Sequence, residues 1–206
     1  MDLQALLDQS AARHKHLCPR QVLGVRIGLA GAAALNLEVP RNDKRMLVIT
    51  ETDGCYADGI EVATGATVGH RTLRVADYGK VAATFIHVKT GKSVRIAPRL
   101  DVRQRARYYA PDEGRHYFAQ LRGYQVMPDD ELLTVQEVHL TTPIEDLVSR
   151  PGVRVNCHIC GEEIINEREV WQQDTPLCQA CAGPVYYIEA EPFLLRKARA
   201  YIAAHH

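Results

Sequence analysis

No run of about 18 apolar residues occurs in this chain, so nothing in it reads as a membrane-spanning helix. The first sixteen residues, MDLQALLDQSAARHKH, are amphipathic and charged, and they lack the apolar h-region of a secretory signal. The expectation is a soluble cytoplasmic protein with no membrane partner. An excess of one charge is lacking too: 25 Lys and Arg balance 25 Asp and Glu. Bulk charge therefore offers no footing for a polyanion, and nucleic acid is disfavoured as a partner. Internal repeats and low-complexity segments are also absent from the sequence.

What is present suits one substantial domain with a small appendage, since 46% of the 206 residues are apolar. Six cysteines in a reducing compartment read as metal ligands or reactive thiols rather than as disulfides. Leu3, Leu6 and Leu7 recur at helical spacing and predict a short amphipathic helix that ends near the His-rich stretch 14–18. Pro19 suits the first position of a new helix, which makes Cys18 its cap and carries it to about Asn36. The small residues Gly24, Gly28, Ala30 and Gly31 within it would admit another backbone, so this helix reads as buried.

Met46–Thr50 predicts a buried strand, and a turn at Thr52-Asp53-Gly54 leads through Cys55 into a helix over about 57–67. Strands follow at Leu73–Val75, Lys80–Val88 and Ser93–Ala97, the last two joined at Thr90-Gly91-Lys92. Residues 98–133 mix charge with helical spacing, and a strand is expected at Leu133–Leu140. The domain plan is 1–142 as the main α+β domain, 143–152 as linker, 153–186 as a four-cysteine module and 187–206 as a C-terminal helix.

Cys157-His-Ile-Cys160-Gly and Cys178-Gln-Ala-Cys181 are two CxxC knuckles with seventeen residues between them, a spacing that suits a structural four-thiolate zinc site. Each knuckle sets two sulfurs on one side of a tight turn, and the intervening EEIINEREVWQQDTPL predicts a small hairpin that brings the knuckles together. An iron–sulfur cluster or a redox dithiol is the alternative use of such a set. A closed four-sulfur site leaves no open position for chemistry.

A second constellation is His14-x-His16-x-Cys18-Pro19, with Cys55 arriving from the next turn. In an extended segment the side chains of His14, His16 and Cys18 would share one side. Both thiols are also predicted at helix N-termini, where the dipole and backbone amides favour a thiolate. Two histidines and two cysteines suit zinc or another borderline-soft divalent ion. Asp53, Asp58 and Asp77 are candidates for orienting ligands or for acid/base work, although acidic residues in turns are usually caps. His70 reads as exposed. The run Arg95, Arg99, Arg103, Arg105 and Arg107 reads as a solvated face, with anion or substrate binding as the sharper alternative.

Several motifs together resemble the FmdE family, named for a protein encoded with molybdenum formylmethanofuran dehydrogenase. They are His14-x-His16-x-Cys18-Pro19, Leu23-Gly24-x-Arg26, Thr52-Asp53-Gly54-Cys55-x-x-Asp58-x-Ile60, Thr64-Gly65-x-Thr67-x-Gly69 and Asp77-Tyr78-Gly79-Lys80. The C-terminal CxxC pair looks like the TraR/DksA-type zinc finger that many members carry. The resemblance implies an α+β domain, helix-strand-helix followed by three strands in a mixed sheet, with a metal-associated pocket where the His-Cys turn meets the Cys55 turn. It implies His14, His16, Cys18 and Cys55 as ligands, Asp58 and Lys80 as polar pocket residues, and a homodimer. Lys15, Arg20 and Ala66 stand where relatives commonly have two glycines and a cysteine, so a sulfur ligand is expected to be missing at position 66.

The function expected on these grounds is a protein with a structural zinc and a second His/Cys site that binds a small molecule or a metal. An ion at that second site would act as a Lewis acid or activate a bound water, with Asp58 or Lys80 assisting. The alternatives are a metal-delivery or assembly factor for a molybdenum or tungsten enzyme, and a zinc-finger regulator. Against the last, Glu162, Glu163, Glu167, Glu169 and Asp174 outweigh Arg168 within the finger, which disfavours phosphate binding.

Overall fold

The computed structural model describes residues 2–148, 152–187 and 190. Two units divide the chain, one ending at Ile144 and the other beginning at Glu145. In the first, α1 (Leu3–His14) buries Leu6 and Leu7, and the turn after it leads into α2 (Pro19–Ala34). Pro19 opens α2 with the φ that a helix needs, and the Cys18 backbone N–H donates to Gln21 Oε1 at 2.8 Å. Gln21 Nε2 in turn donates to the Ser10 carbonyl at 2.7 Å, which ties α1 to the start of α2. Val22, Val25 and Ile27 are wholly buried, as expected of a helix apolar on most of its circumference.

The strand β1 (Met46–Thr50) feeds α3 (Cys55–Thr64), which crosses to β2 (Leu73–Val75), and β1 and β2 pair in parallel. Then β3 (Ala83–His87) and β4 (Ser93–Pro98) form an antiparallel hairpin. The helices α4 (Val102–Tyr109), α5 (His116–Val126) and α6 (Asp129–Leu132) lead to β5 (Leu133–Glu137). The five strands form one mixed sheet in the order β2-β1-β3-β4-β5. Val48, Phe85 and Val94 are neighbours across three strands, and all three belong to the core that α2 and α3 cover. The fold is therefore the α+β class that the sequence predicts.

Boundaries move where local bonds override pattern. The strand expected from Lys80 starts only at Ala83, because the Tyr78 and Lys80 amides both donate to the Glu51 carbonyl, at 2.9 and 3.1 Å, and hold that segment as a loop. Helix α3 begins two residues early, at Cys55, and ends at Thr64 before a left-handed Gly65. A short α7 (Ile144–Leu147) occupies part of the expected linker. The helix expected over 187–206 lies outside the described residues apart from its first positions.

The second unit is built from small pieces: β6 (Arg154–Asn156) pairs with β7 (Glu163–Ile165), β8 (Val170–Gln172) pairs with β9 (Thr175–Leu177), and α8 (Gln179–Ala182) follows. Two hairpins thus stand where one was expected. Among the described residues their apolar centre is Cys157, Ile164 and Leu177, with Val155, Cys160, Cys178, Cys181 and Ala182 partly buried around it.

Candidate metal centre and thiol pair

Each knuckle of the second unit closes on its own backbone. Gly161 donates to the Cys157 carbonyl at 2.9 Å and adopts φ 77°, a left-handed conformation that glycine takes without a steric cost. In the other knuckle, Cys181 and Ala182 both donate to the Cys178 carbonyl at 3.0 Å. The His158 amide donates to the Pro176 carbonyl at 2.9 Å and locks one knuckle to the strand that leads into the other.

The sulfurs of Cys157, Cys160, Cys178 and Cys181 consequently all lie within 4.8 Å of one another, and Cys160 Sγ is 3.9 Å from Cys178 Sγ. Tetrahedral zinc, with bonds of about 2.3 Å, sets its sulfurs about 3.8 Å apart. The donor set fits such an ion in both chemistry and spacing. At Cys157 burial pushes the thiol up, but the backbone amides of Cys160, Cys178 and Ile159 outweigh it and bring the group down to about 6. Cys181 is pushed up to about 12, by burial first and then by hydrogen bonds with the other three sulfurs. Burial likewise raises Cys160. Four thiolates crowded this closely need a cation to coexist, and a divalent ion would supply it.

On the outside of this unit Trp171 is 59% exposed, paired across the strands with Pro176 and pointing away from the small core that Val170 and Leu177 face.

In the first unit the thiols are delivered by helix packing. A Cβ on Gly24 would fall 2.2 Å from the Tyr56 carbonyl oxygen, and one on Gly59 would fall 2.5 Å from the Gln21 carbonyl oxygen. Only glycine on both helices permits this approach. Further along, Gly28 faces Ala63, so residues 24 and 28 of α2 advance with 59 and 63 of α3. The two helices therefore run parallel with their N-termini level. Cys18 caps one and Cys55 opens the other, and the two thiols meet there. Burial, then the charge of Cys18 and a hydrogen bond with it, raise Cys55 above the ordinary thiol range.

His14 is the last residue of α1, and its Nε2 meets Asp58 Oδ2 on the first turn of α3. Arg13 binds Glu61 Oε2 at 2.7 Å and approaches Asp58 Oδ1 at 3.7 Å. The extended His14–Cys18 segment expected from the sequence is not what forms. His14 is helical, Lys15 turns through φ 66°, and His16 points into solvent. Among the described residues, only the four C-terminal cysteines bring three or more donors of this kind within 4.8 Å. The first unit instead carries two pairs, Cys18 with Cys55 and His14 with Asp58.

Position 66 is corrected outright. It lies two residues beyond Thr64, the last residue of α3, a helix of ten residues that rises about 15 Å from Cys55 to its far end. Ala66 is buried there, with its amide on Thr64 Oγ1, so no sulfur has been removed from the thiol pair. Lys80 is exposed in the loop that Glu51 holds, and in the same loop Asp77 Oδ1 accepts from the Gly79 amide at 3.0 Å, a turn-forming role. Asp53 is exposed in the turn before α3, and exposed His70 pairs with Thr67 through Nδ1.

The arginine run is largely spent on partners within the unit. Arg95 grips Glu51 at 2.5 and 2.7 Å, and Arg105 pairs with Asp101 and Glu131. Arg99 donates to the Asp130 carbonyl, and Arg107 meets His116.

Two further residues of the first unit were not singled out by the sequence as site residues. Arg26 is 9% exposed and donates to the carbonyls of Tyr124 and Met127 at 2.7 Å and to Asp129 Oδ1 at 2.6 Å, which caps the C-terminal end of α5. Tyr117, on the first turn of α5, is raised by burial first and then by the nearby thiols of Cys18 and Cys55. Its neighbour Phe118 meets its ring edge-on at a centroid distance of 5.3 Å. Arg26 stood inside a family motif. Tyr117 carried no linear signal, because it comes from an element about a hundred residues beyond Cys18.

The family model described as "FmdE, Molybdenum formylmethanofuran dehydrogenase operon" matches residues 13–143. An Archaeoglobus fulgidus protein called "Probable S-adenosyl-L-methionine-binding protein" is 36% identical over 97 residues, which are 46% of this chain and 26% of that protein. The chain thus spans about a quarter of the length of this curated relative. A crystal structure of an FmdE-like protein of tungsten formylmethanofuran dehydrogenase type, from Syntrophus aciditrophicus, superposes with a TM-score of 0.57 at 22% identity. The match covers 91% of this chain and 96% of that one, and it establishes likeness of fold.

Proposed function

The chain belongs to the FmdE family, and we propose that it is a two-site zinc protein of that family. Cys157, Cys160, Cys178 and Cys181 hold a structural zinc in a TraR/DksA-type finger, while Cys18 and Cys55 anchor a second ion at the level N-termini of α2 and α3. The observation that carries the second site is the glycine-mediated contact of those helices, which puts two sulfurs where two helix dipoles point. His14, oriented by Asp58, supplies a further ligand once an ion draws it in. A carboxylate on one imidazole nitrogen is the usual way to fix the other for a metal. His16 is the nearest exposed replacement, and Lys80 contributes charge at the rim.

The finger's zinc is closed and structural. The second ion keeps an open position and serves as a Lewis acid toward a bound small molecule. The name of the Archaeoglobus relative makes S-adenosyl-L-methionine the first compound to offer it. The protein works as a homodimer in the cytoplasm, and nucleic acid is not its partner.

A second reading is favoured by the operon for which the family is described: delivery of metal to, or assembly of, a molybdenum or tungsten enzyme. A stable complex with such an enzyme on a tagged chain would move the conclusion there.

The test is elemental analysis of protein purified without a chelating column, beside a Cys18→Ser, Cys55→Ser double variant. About two zincs per chain falling to about one is expected. About one in both would overturn the second site and leave the finger alone.

A further inference from the structure

In the mixed sheet β5 pairs with β4 on one side and forms the edge on the other. Antiparallel neighbours alternate between residue pairs that exchange main-chain bonds and pairs that do not. The bonds that flank this ladder give its phase: the Val138 amide donates to the Ser93 carbonyl and the Arg99 amide to the Leu132 carbonyl, both at 3.0 Å. Counting inward from both, Thr134 and Gln136 bond to β4, while Leu133, Val135 and Glu137 turn their main-chain groups outward. Pro98, which has no N–H to give, stands opposite Leu133, where none is needed. The Leu133 amide is taken by the Asp129 carbonyl at the end of α6. Among the described residues, nothing takes up the N–H and C=O of Val135 or the N–H of Glu137.

An open edge of this kind is a template for another strand, and proteins usually blunt it with proline, lysine, a bulge or a covering element. β5 has none of these. Its sequence LTVQE contains no Pro, Gly or Lys, its register with β4 runs unbroken, and residues 134–137 are exposed, Val135 by 59%. The opposite edge, β2, is only three residues long.

We infer that β5 is the contact surface for a second copy of this chain, whose own β5 lies antiparallel to it across a two-fold axis at Val135, joining the two sheets into one. The strand is its own complement in that register. The two Val135 residues exchange a pair of main-chain bonds, and each Glu137 amide reaches the Leu133 carbonyl of the other copy. Each Glu137 carboxylate then lies opposite an apolar Leu133 and not opposite its counterpart, so like charges do not meet. On the reverse face Thr134 lies opposite Gln136, a pair able to hydrogen-bond. Such a contact uses the same patch on both copies and closes on itself, as most dimers do. The inference rests on the homodimer reading above and names its interface. Five residues of strand span only about 17 Å, so the dimer is a weak one that dilution dissociates.

The test is sedimentation velocity on the whole chain from about 1 to 300 µM, the range of weak association, with hydrogen exchange of single amides followed by NMR at both ends of that range. The wild type should pass from monomer to dimer, and the Val135 and Glu137 amides should slow in step with the dimer population. Val135→Pro removes an N–H that β4 does not use, a place where an edge strand tolerates proline. Dimerisation should weaken about tenfold or more, the loss expected for two main-chain bonds. Val135→Lys sets two ammonium groups face to face at the axis and should weaken it likewise, which keeps the test open if the proline variant fails to fold. A dimer that persists in both variants, or β5 amides that exchange equally fast at both concentrations, would overturn this interface and leave the homodimer on another surface. A wild type that stays monomeric throughout would overturn the interface together with the homodimer, and would assign the open edge to a strand of another protein.

Discussion

At Arg26 a single guanidinium replaces water for one whole helix end. The last carbonyls of a helix have no partner within it, and here those of Tyr124, Gln125 and Met127 converge with the Asp129 carboxylate on one buried cation. Arg26→Met keeps the aliphatic stem and removes every donor, leaving those carbonyls dry and unpaired. Loss of about 3 kcal/mol is expected, measured as a shift in the first unit's denaturation midpoint against wild type. A change below about 0.5 kcal/mol would mean that water takes over the cap. This role was not legible in the sequence. Arg26 was conspicuous in its motif, but the carbonyls that it serves are about a hundred residues away, and main-chain acceptors leave no trace in residue identities.

Among the elements, the short strands were the most legible, while helix boundaries were less so. Met46–Thr50 and Leu73–Val75 form where β-branched and apolar residues alternate with turn signals, to the residue. The 98–133 region, expected only as helical in part, resolves into three helices whose breaks at Ala110–Arg115 and Met127–Pro128 carry Pro111, Gly114 and Pro128. The HxHxC segment failed as an extended ligand strip because α1 continues to His14 before Lys15 turns the chain.

The glycines of α2 were legible as a close-approach surface, although not their partner. Gly24→Ala puts a methyl 2.2 Å from the Tyr56 carbonyl oxygen, and backbone cannot yield as a side chain can. The helices must separate, at a cost of about 1–3 kcal/mol. Mild oxidation should then cross-link Cys18 to Cys55 in a smaller fraction of chains than in the wild type, as counted by mass spectrometry. Unchanged cross-linking would show that the thiols meet independently of that contact.

At the scale of the whole chain, the two units draw their stability from different sources. The first has an extensive core beneath a five-stranded sheet, whereas among the described residues of the second only three side chains are buried, one of them a cysteine. Three buried residues cannot offset the ordering of some thirty, so on the zinc site proposed above metal binding and folding of 153–185 would be one process. A strong chelator should therefore open 153–185 to limited proteolysis while fragments ending near residue 144 persist. Acid should have the same effect, since burial holds Cys160 and Cys181 protonated unless an ion displaces those protons. Intact 153–185 fragments after full removal of metal would refute the coupling.

The indole of Trp171 is the only one in the chain, and it stands on the outer surface of the smaller unit. Red-edge excitation of the protein's fluorescence therefore interrogates that unit alone, while the sheet unit, which has tyrosine but no tryptophan, stays dark. The smaller unit is in effect labelled by its own sequence, so release of an ion from the four cysteines could be watched in the intact chain without attaching a dye.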